Sequence, residues 1–290
     1  MAEITASMVK DLRERSGAGM MDCKKALTES EGDFDQALKL LRERGEAIAL
    51  KRSGRIAREG LIEIHTDGNS AAIIELNCET DFVAKNDDFK ALAKDMAKFA
   101  ATQPANTDIS TAEKDGVPVN EVLKGLIGKI GENMVLARSA KIENTDGTIA
   151  SYIHPPGKIG VLVVLTGPEG ADLKGFGRWV AMHIAASNPL CITREELDPK
   201  IVEQEREVYL QAALNEGKPQ NIAERIVEGR LKTFCADQVL HDQPFISDQT
   251  KSLGETLKNP GDGINGAVTV KQFIRFQVGE TTANQPATEE

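Results

Sequence analysis

Four histidines (His65, His154, His183, His241) and four cysteines (Cys23, Cys78, Cys191, Cys235) are the side chains with which this 290-residue sequence could do acid–base, nucleophilic or metal chemistry. Their spacing argues against all three. No cysteine stands in a C-x-x-C pair or at metal-ligand spacing from a histidine, so zinc and dithiol motifs are missing. No GxSxG, HExxH or paired-carboxylate pattern frames any histidine. His183 lies in "GRWVAMHIAAS" among apolar neighbours, where a buried, hydrogen-bonded core residue is the expected reading. "GDGING" (Gly261, Gly263, Gly266) matches GxGxxG, but a dinucleotide fingerprint follows a strand and opens a helix. Here "LKNP" precedes it and the β-rich "AVTVKQF" follows, so it reads as a turn before a strand. No enzyme, metal or cofactor is expected.

A different constellation stands at "NCETDFVAKND", residues 77–87, where Asp81 and Phe82 sit side by side after the apolar run "AAIIEL". An aromatic between the end of a strand and the start of a helix has two uses. It can fold back into the core, as loop aromatics often do, or be held outward as a contact. The residues alone leave both open.

Composition narrows the partners. Net charge is −10, and aromatic content is 4% with one Trp. A phosphate backbone is repelled on average and base-stacking platforms are scarce, so direct nucleic-acid binding is not expected. "MAEITASMVK" has no apolar h-region and no run approaches a membrane span. Four scattered cysteines read as buried thiols of a reducing compartment. The expectation is a cytoplasmic protein without a membrane anchor.

The elements that must position Asp81 and Phe82 follow from periodicity. Residues 1–54 read as three short helices: Thr5 caps the first, Asp22 the second, and Asp33 with Gln36 the third, which Gly45 closes. The basic stretch "AIALKRSGRIAR" (47–58) reads as a helical tail and linker, either a solvated helix end or a contact for an acidic partner. "GLIEIHTDGNSAAIIELN" is a strand–turn–strand hairpin. A helix capped by Asn86, a loop (102–117), the helix "VNEVLKGLIGKI" and the strand "NMVLARSAKIE" follow. The order then recurs in "TIASYIHPPGKIGVLVVLTG", "ADLKGFGRWVAMHIAAS" and "VKQFIRFQVGE", which reads as an internal duplication. Within the second copy, residues 194–235 read as an antiparallel helical hairpin, with Ile201, Val208, Tyr209 and Ala212 facing Ile222, Ile226, Val227, Leu231 and Phe234. The fold class is α+β, with bounds 1–54, 55–143, 144–193 plus 236–280, 194–235, and a disordered tail 281–290.

"TDFVAKND" (Thr80 to Asp87) resembles the signature of the elongation factor Ts family, and so, in order, do "RSGAGMMDCKKAL", "KIGENM", "SYIH", "GVLVVL", "AMHIAAS" and "KPQNIAERIVEGRLKTF". The resemblance covers nearly the whole chain. It implies a ubiquitin-associated-like N-terminal domain, two related α+β core subdomains and a protruding antiparallel coiled coil. It also implies a guanine-nucleotide exchange factor whose partner is elongation factor Tu, GDP-bound and nucleotide-free. Thr80, Asp81, Phe82 and Val83 would then approach the partner's magnesium site, with Phe82 wedged between its side chains. Ile130, Gly131 and His154 would line the same contact. Two prolines after His154 depart from the family pattern. The short tail implies that a C-terminal helical contact made by some members is absent. An adaptor acting through its N-terminal helices, and a hydrolase using His154 and Asp81, are the competing readings.

Overall fold

The computed structural model describes residues 4–143, 146–261 and 263–281, and these form a mixed α and β structure. The chain opens with α1 (Ala6–Ser16), α2 (Met20–Glu29) and α3 (Phe34–Arg52). Thr5 caps α1 by accepting from the Met8 N–H, and Asp33 caps α3 by accepting from the Gln36 N–H. Val9, Leu12, Cys23, Ala26, Leu27 and Ala37 form their common core.

Two local expectations fail here. Asp22 lies inside the first turn of α2, whose N-cap is Gly19. Gly45 does not close α3, which runs on to Arg52. Its missing side chain serves packing instead: a Cβ on Gly128 would stand 2.5 Å from the Gly45 Cα, so the two glycines let α3 cross the helix Val119–Ile130 in near backbone contact.

The body is two three-stranded antiparallel sheets packed on each other, with helices outside. β1 (Glu59–Asp67) and β2 (Ser70–Cys78) form a hairpin. The chain then makes α4 (Asp81–Ala84), α5 (Asp87–Thr102), a small hairpin of β3 (Glu113–Lys114) and β4 (Val117–Pro118), and α6 (Val119–Ile130). It returns as β5 (Met134–Glu143), giving the order β1-β2-β5. The small hairpin lies in what the sequence presents as plain loop.

The second sheet repeats the plan. β6 (Thr148–His154) and β7 (Ile159–Thr166) are followed by α7 (Lys174–Ser187), then α8 (Pro199–Asn215) and α9 (Gln220–Gln238), a side-by-side antiparallel pair. β8 (Pro244–Phe245), β9 (Asp248–Ser252) and α10 (Leu253–Lys258) precede β10 (Thr269–Gln277), and the order is β6-β7-β10.

The central strands explain their own sequences. Side chains alternate between faces with period two. Ala72, Ile74 and Leu76 of β2 face α5 and α6, while Ala71 and Ile73 face the other sheet. In β7, Val161, Val163 and Leu165 face α7, while Leu162 and Val164 pack on the first sheet. Both faces are covered, so β7 is an unbroken apolar run from Ile159 to Leu165, and β2 is one interrupted by the buried Glu75 and Asn77. Gly160 leaves room for the other sheet: a Cβ there would stand 2.4 Å from the Ile62 Cγ2.

The helical pair differs from its expected pattern. Ile201, Val208 and Ile222 are exposed, and Ala213, Ala223, Val227 and Leu231 are the buried residues of the pair. On α8 the buried residue is Ala213, with Val202, Tyr209 and Leu210 half-buried beside it. α9 continues to Gln238, past Cys235. Apart from Thr281, the expected tail 281–290 lies outside the described residues.

Candidate functional site

Phe82 is 80% exposed, so it is not a core residue. It sits on the single turn of α4, a shape that the sequence pattern presents as loop. The turn is braced from three sides. Thr80 is its N-cap: Oγ1 accepts from the Val83 N–H at 3.4 Å and donates to Glu132 Oε1 at 2.7 Å. The Thr80 N–H donates to Glu132 Oε2 at 3.1 Å. A cap of this kind is worth about 1 kcal/mol, and Glu132 adds a charge-assisted pair. Val83, one residue past Phe82, is 7% exposed and pins the turn to the core between the first sheet and its helices. At the C-terminal side Asn86 accepts from the N–H groups of Asp88 and Phe89 and starts α5. Phe82 is thus turned outward by an anchored neighbour on each side.

Glu79, just before the turn, ties it to more distant chain. It receives Arg52 Nη1 at 3.5 Å, Arg55 Nη1 at 3.2 Å and the Asn133 N–H at 2.7 Å. Arg52 and Arg55 of the basic stretch 47–58 thus meet an acidic residue of the same chain.

Ile130 and Gly131 arrive at the same place. Gly131 ends α6 in the left-handed region at φ +82°, with its N–H donated to the Ile127 carbonyl at 2.7 Å. That conformation suits glycine. It turns the chain so that Glu132 and Asn133, the next two residues, reach Thr80 and Glu79. Ile130 is half-buried against the same apolar core as Val83.

His154 ends β6 and is exposed, with its Nδ1 2.9 Å from the Tyr152 hydroxyl. Its carbonyl accepts from the Gly157 N–H at 2.7 Å, closing the turn that holds the two prolines. The Gly157 carbonyl takes the Ile62 N–H at 2.8 Å, and Lys158 pairs with Glu59, whose register partner is Cys78. The turn after His154 is thereby held beside the end of β2. The imidazole itself bonds Tyr152 rather than the turn at 80–84.

Electrostatics sharpen the picture. Asp81 accepts from Lys85 Nζ at 2.6 Å, and this hydrogen bond holds its carboxyl below the usual aspartate range, with the charges of Lys85 and Lys158 acting the same way. Lys85 also lies 6.0 Å from the centre of the Phe82 ring. Burial, with Glu132 adding to it, pushes the Cys78 thiol up to about 12, so it is inert at neutral pH. No hydrogen bond joins Asp81 to His154 among the described residues, which leaves the hydrolase pairing without geometry. Among those residues, no group of three or more His, Cys, Asp or Glu could hold a metal, and no helix is long and apolar enough to cross a membrane. His183 is buried and bonded: Nε2 is 3.0 Å from Gln243 Oε1, and Nδ1 accepts from the Ile246 N–H at 3.3 Å.

Sequence reasoning missed Glu79, Glu132, Asn133 and Lys158. Their bonds span 24 to 99 residues, so no local spacing could reveal them. What the assembly offers chemically is a rigidly presented apolar ring beside a carboxylate, an arrangement suited to insertion into another protein.

Residues 79–280 match the family model described as Elongation factor TS. The chain is 44% identical to elongation factor Ts of Nitrobacter hamburgensis over 287 residues, covering 97% of this chain and 94% of that protein. It is 44% identical to that of Clostridium acetobutylicum (96% and 93% covered) and 43% identical to that of Bradyrhizobium diazoefficiens (98% and 95% covered). A family-model match through the signature turn, β5 and the second sheet, together with this identity over nearly full length, places the chain in the elongation factor Ts family.

Proposed function

We propose that this protein is a guanine-nucleotide exchange factor of translation elongation, acting on elongation factor Tu. It binds the GDP-bound partner, promotes loss of GDP and Mg²⁺, and remains on the nucleotide-free form until GTP enters. The observation that carries this reading is the exposed Phe82 on a turn braced by Thr80, Val83 and Glu132. Phe82 is the wedge, and burying its ring is worth about 2–3 kcal/mol. Asp81 supplies charge next to the partner's magnesium site, and Thr80 and Val83 hold the pair in place. Ile130, Gly131 and His154 border the contact.

The mechanism needs no covalent step, cofactor or resident metal. Factor and GDP·Mg²⁺ bind one GTPase anti-cooperatively, and reciprocity makes each weaken the other by the same factor. The site of action is the cytoplasm, with neither nucleic acid nor membrane bound directly. The architecture fits this work. Residues 1–54 form a ubiquitin-associated-like domain that adds affinity. Residues 55–143, and 144–193 with 236–280, are core subdomains descended from one duplicated unit, and 194–235 form a protruding coiled coil. Release of fluorescent GDP from purified elongation factor Tu is the test. Accelerated release supports exchange, binding without release supports an adaptor, and turnover of a substrate without the partner supports an enzyme.

A further inference from the structure

Two of the four cysteines meet at the neck of the helical pair, far along the chain from the Phe82 turn. Cys191 stands just before the pair and Cys235 stands in the last turns of α9. Segment 190–192 runs alongside 238–241: the Leu190 N–H donates to the Gln238 carbonyl at 2.8 Å, the Leu240 N–H to the Cys191 carbonyl at 2.9 Å, and the His241 N–H to the Ile192 carbonyl at 3.1 Å. Cys191 is bridge partner to Val239, whose N–H binds the Cys235 carbonyl one helical turn back at 2.9 Å. Both thiols belong to one small apolar cluster with Leu197, Val202, Phe234 and Val239. Val239, the bridge partner of Cys191, lies one helical turn beyond Cys235, so the two thiols share one apolar cluster at the neck. A charge on Cys235 would raise the Cys191 thiol further, and a disulfide between them needs their Cα atoms about 4.4–6.8 Å apart.

We propose that Cys191 and Cys235 form a peroxide-sensitive pair whose disulfide locks the neck of the helical pair. The two differ in the way such a pair requires. Cys235 is half-buried and open to a small oxidant. Cys191 is 8% exposed, and its Sγ donates to the Thr193 carbonyl at 3.2 Å. In the first step the Cys235 thiolate attacks one oxygen of hydrogen peroxide: an S–O bond forms, the O–O bond breaks, and hydroxide leaves to become water. In the second, Cys191 loses its proton to solvent and attacks the Cys235 sulfenic sulfur. The S–S bond forms, the S–O bond breaks, and the departing hydroxide becomes a second water. Two thiols and one peroxide thus give one disulfide and two waters. Cys191 is the slow partner, because burial holds its thiol above the ordinary range. The bond would close both ends of the 191–235 segment onto each other and fix the direction in which the pair projects.

Full-length protein treated with hydrogen peroxide under non-denaturing conditions, then blocked and digested without reductant, tests this. The expected product is one Cys191–Cys235 cross-linked peptide, lighter than the separate peptides by two hydrogens, with Cys23 and Cys78 still blocked as free thiols. Cys191→Ser should accumulate sulfenic acid at Cys235 that a dimedone probe captures, and Cys235→Ser should leave Cys191 reduced. Limited trypsin digestion should cut the helical pair more slowly in the oxidised protein, with reversal by dithiothreitol. Oxidation of Cys235 to sulfinic acid beside a reduced Cys191 in the wild type, or cross-linking only between molecules, would overturn the proposal.

Discussion

From Cys78 at the end of β2 the chain reaches α5 through residues 79–86 and presents Phe82 at 80% exposure. From Thr166 at the end of β7 it reaches α7 through residues 167–173 and buries Leu173 to 4%. Both connections leave the central strand of a three-stranded sheet with the same strand order. They differ in how the following helix is started. α5 and the turn before it are capped by polar side chains, Asn86 and Thr80, with the buried Val83 pinning the turn, so the aromatic ring is not needed to fix them. α7 has Leu173 at its N-cap with no side-chain cap, and Leu173 joins the core beneath the second sheet. Polar caps and the buried Val83 hold the first connection and leave its aromatic exposed. Packing holds the second and consumes its apolar residue.

The largest effect should come from attacking the packed connection. Leu173→Ala removes a buried side chain and should cost about 2–5 kcal/mol of folding stability, read as a shifted urea midpoint. At temperatures where the variant stays folded, GDP release from elongation factor Tu should match wild type. A stable variant with defective exchange would mean that the second connection also serves the partner.

The converse experiment is Phe82→Ala. Its loss should leave the thermal midpoint close to wild type, since exposed positions change stability by about 0.5 kcal/mol or less. Complex stability should fall by about 2 kcal/mol, roughly thirtyfold in affinity, with slower GDP release. A large drop in melting temperature with normal exchange would erase the contrast between the two connections.

This contrast also marks what the sequence could say. The strands of both sheets, the caps Thr5, Asp33 and Asn86, and the buried state of His183 were legible because each depends on neighbours within a few residues. "TDFVAKND" was legible as a family resemblance, yet the residues left the direction of Phe82 open. What decides it is Glu132, 52 residues away, and Glu132 reaches Thr80 only because Gly131 turns the chain. Gly45 was misread for the same reason. Locally it is a helix stop, and only Gly128 on another helix shows why it continues. Ile201 and Val208 failed because apolar spacing was read without knowing which face the partner helix covers.

Acid should separate the two regions next. His183 is buried beneath the second sheet as a neutral ring. Nε2–H donates to Gln243 Oε1, whose amide nitrogen is committed to the Ser187 and Asp237 carbonyls, and Nδ1 accepts from the Ile246 N–H. A second proton would face an N–H with no acceptor, and burial alone already lowers its pKa. The unfolded histidine titrates near 6.5, so the unfolded state binds the proton first and stability falls as pH drops below about 6.5. Above that the contribution is complete. His241 is lowered by burial as well, so the wild-type slope holds both. His183→Gln should flatten part of the fall in thermal midpoint between pH 7 and 5. An unchanged slope would place the acid sensitivity elsewhere.

The smallest effect belongs to Asp81, whose side chain is about half exposed and paired with Lys85 four residues on. Asp81→Asn keeps a hydrogen-bond acceptor and removes the charge, whereas Asp81→Ala removes both. The thermal midpoint should not move measurably in either, because solvent screens an exposed ion pair. The hydrogen bond from Lys85 holds its folded pKa below the ordinary aspartate range, so the carboxylate stays charged through the neutral range and its small share of stability fades only in stronger acid. GDP release should therefore show no pH dependence traceable to Asp81 between pH 6 and 8. Both variants should slow release, less than Phe82→Ala does, because charge beside a bound cation perturbs it without displacing volume. If Asn matches Ala, charge is what Asp81 contributes. If Asn matches wild type, the contribution is a hydrogen bond. A loss larger than that of Phe82→Ala would make the carboxylate the wedge and the ring its support.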